Sequence, residues 1–578
     1  MAGPTAPKDP EKARPFFYIL KDKDIFGERQ KDGTGIQFIY ESDGRLINSA
    51  QITGNVTDKE ELTLLETVEG FGRLVHSIGV SVETDRPEET AEFVFQMYGK
   101  KDLYGGGTNL TTSLKCDGME HRIYLSDYRW TEDDHVPGQI KILFAAPERM
   151  GKVSVRLFLN DGYEAPPEEE DLVIDMHSEE YCGMISRSLL QLGNPYRIRK
   201  AIEKSKAGKE VTLAYIGGSI TQGAGAIPIH TECYAYKSFQ LFQNRFSTQN
   251  NVRFIKAGVG GTPSELGMIR FDRDVLREGE RPDIVVIEFA VNDEGDETKG
   301  VCYESLVRKV LKLPWKPAVV LLFSVFANDW NLQERLRPVG DLYDLPMVSI
   351  LNAVTPQFSL KCGEGRILSK NQFFYDIFHP NNTGHTIMAD CLQYLFERCD
   401  AAEPARVGTF VEGMTEEQIL SEKLSGPAVI GADFERIFLL DKKNRYVGAK
   451  IRAGSFTSTD IELQSVEMDG SLTQTPEFPY NWMYDGSRPQ MPGFEMEITC
   501  KSLFLIFKDS GEMDVGKADV FVNDVYCMTA DPHKNNWLHC NAVLLFWETE
   551  SRSHKVRITV TEEDRNKKFT ILGFGYTI

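Results

Sequence analysis

Four short stretches of this sequence end in residues whose types could together cleave an ester. Ser219 follows an apolar run that stops at two glycines, in VTLAYIGGSITQGAG over 211–225. Gly260 and Gly261 stand in AGVGGTPSELG (257–267). There backbone amides can face a ligand at the start of a helix, where donors are unpaired and the dipole favours negative charge. Asn292 stands in EFAVND (288–293), with a side-chain amide free to donate. Asp376 and His379 lie three apart in DIFHPNNTGH, before a proline and a polar loop. Acyl transfer through a covalent intermediate needs a nucleophile, a base for its proton, an acid to hold the base's tautomer, and donors for the oxyanion. Every role has a candidate here.

Each stretch also has a plainer reading. A strand and an ordinary glycine turn would leave Ser219 as a helix N-cap, and Asp376 and His379 are types that favour loops. The order of the group argues for chemistry: every candidate follows a predicted strand or precedes a predicted helix on one edge of one sheet. Neighbouring groups take structural roles. His385 reads as a residue of the following helix and not a second base. His230 and Cys233 read as pocket-lining, because no third metal ligand lies at a usable spacing. Glu288 and Asp293 flank Asn292, but strand alternation sends Glu288 to the side of Asn292 and Asp293 to the other, which argues against a glycosidase pair.

The elements that must position these residues alternate between 211 and 398. Apolar runs VTLAYIG, VRFIKAG, DIVVIEF, AVVLLFSV and PMVSI predict strands. YAYKSFQLFQNRF, SELGMIRFDRDVLRE, YESLVRKVLKL and TGHTIMADCLQYLFERC predict helices between and after them. Strands with no polar face imply a parallel sheet covered by helices on both sides, with ligand beyond the carboxyl ends of its strands. YRIRKAIEKSKAGK predicts a helix leading into the first strand.

Flanking regions carry short alternating runs separated by Gly, Asp and Pro turns, the pattern of β-sandwiches. The expected organisation is an α/β chain: a β-sandwich over 15–165, the α/β domain over 195–400, and a second β-sandwich over 410–578. Residues 1 to about 14 read as a loose tail. EAPPEEEDL (164–172) and DAAEPARVG (400–408) read as exposed linkers. The aromatic clusters TPEFPYNWMYDG (475–486) and KNNWLHC (534–540) could stack on sugar rings or serve as core. One of them is expected to close over the site.

At 578 residues the chain exceeds one hydrophobic core. Its formal charge of −21 argues against nucleic acid and anionic membranes as partners and leaves a neutral substrate as the better fit. The N-terminus lacks the apolar segment of a signal peptide, and no run approaches a membrane span, so a cytoplasmic location is expected. Ten cysteines without a C-x-x-C pair imply free thiols and no zinc site. The oligomeric state, including a homo-oligomer, stays open.

Taken together, GGSIT, AGVGG, VND and DIFHP resemble the four signature blocks of the SGNH, or GDSL-type, hydrolases. The resemblance covers roughly 205–398 and implies a flavodoxin-like sheet. It implies Ser219 as nucleophile, His379 as base and Asp376 as triad acid. The oxyanion would be held by the amides of Ser219 and Gly261 and the side chain of Asn292, with no metal or cofactor. The sequence departs from the family pattern at Gly218 for aspartate, Lys256 for asparagine and Ala290 for glycine. With its jelly-roll-like flanks the chain is similar to carbohydrate esterases that deacetylate hemicellulose. The resemblance therefore implies a serine esterase removing O-acetyl groups from xylan or mannan oligosaccharides. A lipase or thioesterase for longer acyl chains is the alternative on the same scaffold, and an inactive glycan-binding protein the alternative from another class.

Overall fold

In the central sheet, successive residues of each strand feed two different cores. β1 (Val211–Gly217), β2 (Val252–Gly258), β3 (Ile284–Glu288), β4 (Ala318–Phe323) and β5 (Met347–Ser349) are parallel in the order 2-1-3-4-5. Leu213 and Tyr215 face one core; Ala214 and Ile216 face the other. Burial on both faces is why these strands are continuous apolar runs. The short strand Leu189–Gln191 adds antiparallel to β5, so the sheet is mixed at that edge. The chain reverses its winding between β1 and β3, the position at which open α/β sheets leave a crevice.

The computed structural model describes residues 13–40, 45–53, 59–101, 105–168, 170–402 and 414–578. One face of the sheet is covered by Tyr196–Lys206, α1 (Tyr234–Phe246) and α4 (Asn382–Ala401). The other is covered by α2 (Ser264–Phe271), α3 (Val301–Leu311) and part of the C-terminal region, through Phe434, Phe478, Phe504, Ile506 and Leu572. Helices Gln333–Tyr343 and Ile350–Phe358, which contain Pro338 and Pro356, were not expected.

The N-terminal strands form a four-stranded and a five-stranded antiparallel sheet around one core. The expected all-strand reading of this region misses helices Arg45–Thr53, Lys59–Thr63 and Val68–Leu74, which supply Leu46, Leu62, Phe71 and Leu74 to that core. Arg14, expected in a loose tail, is buried and donates to the carbonyl of Leu159; residues 1–12 of that tail lie outside the described residues. The described residues of 164–172 are mostly exposed, and the stretch is tied to its neighbours at two points. Glu168 pairs with Lys21, and Asp171 with Arg366.

In the C-terminal region, β6 (Phe494–Asp509), β7 (His539–Val560) and β8 (Phe569–Thr577) belong to one hydrogen-bonded eight-stranded sheet. The sequence pattern splits β7 into NAVLLFWETE and HKVRITVTE; the two are one strand, irregular between Trp547 and Arg552. β6 buries 494, 496, 498 and 500 before this irregularity and 503, 505 and 507 after it in the same core. Its second half also buries Phe504 and Ile506 against the α/β domain, hence the change from alternating to continuous apolar sequence. Most of the 400–408 stretch lies outside the described residues, but helix Glu416–Ser425 beyond it is clamped to the α/β domain by a two-pronged Arg197–Glu417 pair at 3.0 and 2.9 Å. Among the described residues no helix is long and apolar enough to cross a membrane.

Candidate active site

Ser219 begins a four-residue helix, Ser219–Gln222, directly after β1 and Gly218. Its backbone N–H therefore has no intrahelical acceptor. Gly218 is there because Asn292 is: a Cβ at 218 would lie 2.2 Å from Asn292 Oδ1 and 2.6 Å from Nδ2. The Asn292 amide thus rests on the peptide preceding Ser219. Asn292 follows the end of β3 in a turn closed by its own N–H to the carbonyl of Phe289, 3.0 Å.

His379 approaches from the loop before α4. Its Nε2 lies 2.9 Å from Ser219 Oγ, and its Nδ1 lies 2.9 Å from Asp376 Oδ2. The other oxygen of Asp376 accepts the backbone N–H groups of Phe378 and His379, each at 2.8 Å. The carboxylate is therefore fixed at both oxygens, so Nδ1 must donate and Nε2 is left to accept the Ser219 proton. His379 and Asp376 are about one-fifth and one-quarter exposed, which keeps the relay open to substrate. Lys23 of the first N-terminal strand, itself buried, donates to the carbonyls of Asn371 (3.4 Å) and Phe374 at the head of this loop.

Gly261 has φ +72, and its carbonyl lies 3.1 Å from Nε2 of His539. A Cβ there would also meet Trp537 at 2.8 Å. The KNNWLHC segment thus lies directly on the loop after β2. In the other aromatic cluster, Phe478 and Trp482 are core residues. Gly260 lies close to the nucleophile, its Cβ position 3.8 Å from Ser219 Cβ.

The remaining candidates fall into structural places. His385 is buried, accepts the N–H of Tyr234 at Nδ1 (3.1 Å) and donates from Nε2 to the carbonyl of Ala224 (3.1 Å). Burial pushes it down to about 3, so it is neutral and held in one tautomer. Cys233 is buried 4.0 Å from Lys256 Nζ, and His230 sits in the short helix Ile229–Glu232. Among the described residues no group of three or more His, Cys, Asp or Glu could hold a metal ion. The alternation argument for Glu288 and Asp293 fails on its own terms, because β3 ends at Glu288. The two carboxyls are nevertheless separated by their partners: Glu288 accepts from Thr221 Oγ1 at 3.1 Å, and Asp293 from the N–H of Ser264 at 2.7 Å. Burial raises them to about 7 and about 8.

Two buried cations were missed in this role. Lys256, noted only as a departure from the family asparagine, sends its ammonium 2.8 Å to the carbonyl of Gln222 and so ties down the nucleophile helix. Arg270 donates to the carbonyls of Gly217 (2.8 Å) and Ala257 (2.7 Å), joining the ends of β1 and β2. A lone arginine in the otherwise apolar GMIRF was the only signal.

Residues 215–387 match the model of the GDSL-like lipase/acylhydrolase family. Among solved structures, a two-domain esterase active on acetylated mannans, solved alone and with mannopentaose, matches with 23% identity and a TM-score of 0.53, covering 68% of this chain and 98% of that one. A catalytic mutant of an acetylxylan esterase from Geobacillus stearothermophilus matches over 33% of this chain and 95% of its own, with 18% identity and a TM-score of 0.25. Comparison with curated protein sequences finds no match.

Proposed function

We propose that the chain is a serine esterase that removes O-acetyl groups from acetylated hemicellulose-type oligosaccharides. The observation that carries this reading is the continuous Asp376–His379–Ser219 relay, with both side-chain contacts at 2.9 Å, at the carboxyl edge of the sheet. His379 Nε2 takes the proton of Ser219 as Oγ attacks the ester carbonyl. The tetrahedral oxyanion is held by the amides of Ser219 and Gly261 and by Asn292, which rests against Gly218. Asp376 stabilises the imidazolium, which protonates the departing sugar hydroxyl. Water, deprotonated by His379, then releases acetate.

The carbohydrate part of the reading has separate support. Trp537, 45% exposed, stands beside Gly261 and offers an apolar face of the kind sugar rings stack on. The net charge of −21 suits a neutral substrate. The fold-level likeness is to an esterase active on acetylated mannans. Mass spectrometry of acetylated xylan and mannan oligosaccharides incubated with the protein is expected to show loss of acetyl units without backbone cleavage. Ser219→Ala should abolish it. Retained hydrolysis in that variant would remove Ser219 from the mechanism, and rates rising from acetyl to octanoyl esters would favour a lipase.

A further inference from the structure

The C-terminal domain grips the oxyanion loop by its carbonyls. Gln464 Nε2 donates to the carbonyl of Gly260 at 2.9 Å, and His539 Nε2, facing the carbonyl of Gly261 at 3.1 Å, can only donate to it. Both residues are themselves anchored. Gln464 Oε1 accepts the N–H of Cys540 at 2.9 Å, and His539 Nδ1 lies 3.0 Å from Asp509 Oδ2, on the adjacent strand in register. Gln464 is 8% exposed, His539 5% and Asp509 0%. Three polar side chains have been taken out of water for this arrangement, which costs stability unless each is bonded.

The carbonyl of Gly260 and the N–H of Gly261 belong to one peptide plane and, in the trans form, point in opposite directions. A donor that fixes the Gly260 carbonyl therefore fixes the aim of the Gly261 N–H, directing it away from the C-terminal domain. The bond to the Gly261 carbonyl fixes the next plane, so that neither can rotate about Gly261 at its left-handed φ of +72. We infer that Gln464 and His539 are positioning residues of the oxyanion hole, and that the C-terminal domain completes the catalytic machinery of the α/β domain. This inference rests on the esterase reading above, in which the Gly261 N–H meets the oxyanion.

The test uses the full chain and 4-nitrophenyl acetate. Gln464→Glu keeps the size and the bond from Cys540 but turns an acceptor towards the Gly260 carbonyl. His539→Leu removes the donor to Gly261, and His539→Gln restores an N–H at nearly the same place. Misaiming one oxyanion donor should lower kcat by about 10²-fold in Gln464→Glu and in His539→Leu, with KM within about twofold of the parent, because the donor acts on the transition state. His539→Gln should recover part of the loss, which a merely structural role would not predict. Thermal unfolding of each variant sets the assay temperature below its transition, and the His539 pair carries the test if Gln464→Glu does not fold. Folded Gln464→Glu or His539→Leu with kcat within about threefold of the parent, or with the loss in KM, would overturn the inference. Activity surviving in Ser219→Ala would instead overturn the esterase reading itself.

Discussion

Asn292 leaves no room for a side chain at position 218. Placing aspartate at 218, or simply adding a methyl, should lower the proposed esterase activity. A Cβ at 218 would sit 2.2, 2.5 and 2.6 Å from Asn292 Oδ1, Cγ and Nδ2, against an ordinary contact of about 3.5 Å. The Asn292 amide would have to retreat by about 1 Å, a displacement that at a reacting centre costs on the order of 10²-fold in rate. Complete loss of an oxyanion donor costs about 10²–10³-fold in kcat, or about 3–4 kcal/mol. Gly218→Ala and Gly218→Asp should therefore approach Asn292→Ala in kcat on 4-nitrophenyl acetate. Gly218 has φ −86, so the obstacle is contact and not a left-handed backbone. Because both changes disable one donor, the double variant Gly218→Ala/Asn292→Ala should be no more than about threefold worse than Asn292→Ala alone. If Gly218→Ala keeps kcat within about threefold of the parent while Asn292→Ala loses two orders of magnitude, the reasoning fails.

Other outcomes follow from the same geometry. Asp376→Asn cannot satisfy both the two backbone N–H groups at one oxygen and Nδ1–H at the other; kcat should drop by about 10³–10⁴-fold with the fold retained by circular dichroism. Lys23→Met keeps the buried stem and removes the donors to the Asn371 and Phe374 carbonyls; a loosened His379 loop should cost about tenfold in kcat with unchanged KM, and an unchanged kcat would show that the N-terminal domain does not steady it. Glu288 has a folded value of about 7 against an ordinary 4.5, so the native state holds a proton that the unfolded chain releases. Its contribution to stability is complete below about 4.5 and is lost as pH rises through about 7. The fall in Tm between pH 5 and pH 8 should be smaller in Glu288→Gln than in the parent; an equal fall would dismiss Glu288 as its source.

The central sheet was legible because burial on both faces leaves continuous apolar runs such as VTLAYIG and DIVVIEF, and chemistry demands particular residue types at their ends. Leu189–Gln191 is too short to carry a pattern, and Pro338 and Pro356 disguise helices that continue through them. The two halves of β7 look separate in sequence because the residues joining them, 549–553, are polar and exposed. The grip on the oxyanion loop was illegible for a different reason. Gln464 and His539 reach carbonyls 204 and 278 positions away in the chain, and a residue that acts on a carbonyl places no demand on the type of its partner.

That grip also changes what KNNWLHC means. Its aromatic character drew attention to sugar stacking, and Trp537 does present an exposed face beside Gly261. Two residues further on, His539 bonds the Gly261 carbonyl, and the rings of Trp537 and His539 lie 4.6 Å apart. On the proposed reading, one short segment therefore touches both the space proposed for the sugar and the peptide proposed to aim at the oxyanion. On the same esterase reading, a glycan stacked on Trp537 would press on Gly261 both directly and through His539. On this geometry a polymeric substrate should gain over a small acetyl ester in kcat as well as in KM, because stacking on Trp537 stiffens the same loop that stabilises the transition state. Trp537→Ala should then remove the kcat advantage of an acetylated oligosaccharide while leaving 4-nitrophenyl acetate within about threefold. Equal losses on both substrates would mean that Trp537 serves only as a wall for the loop.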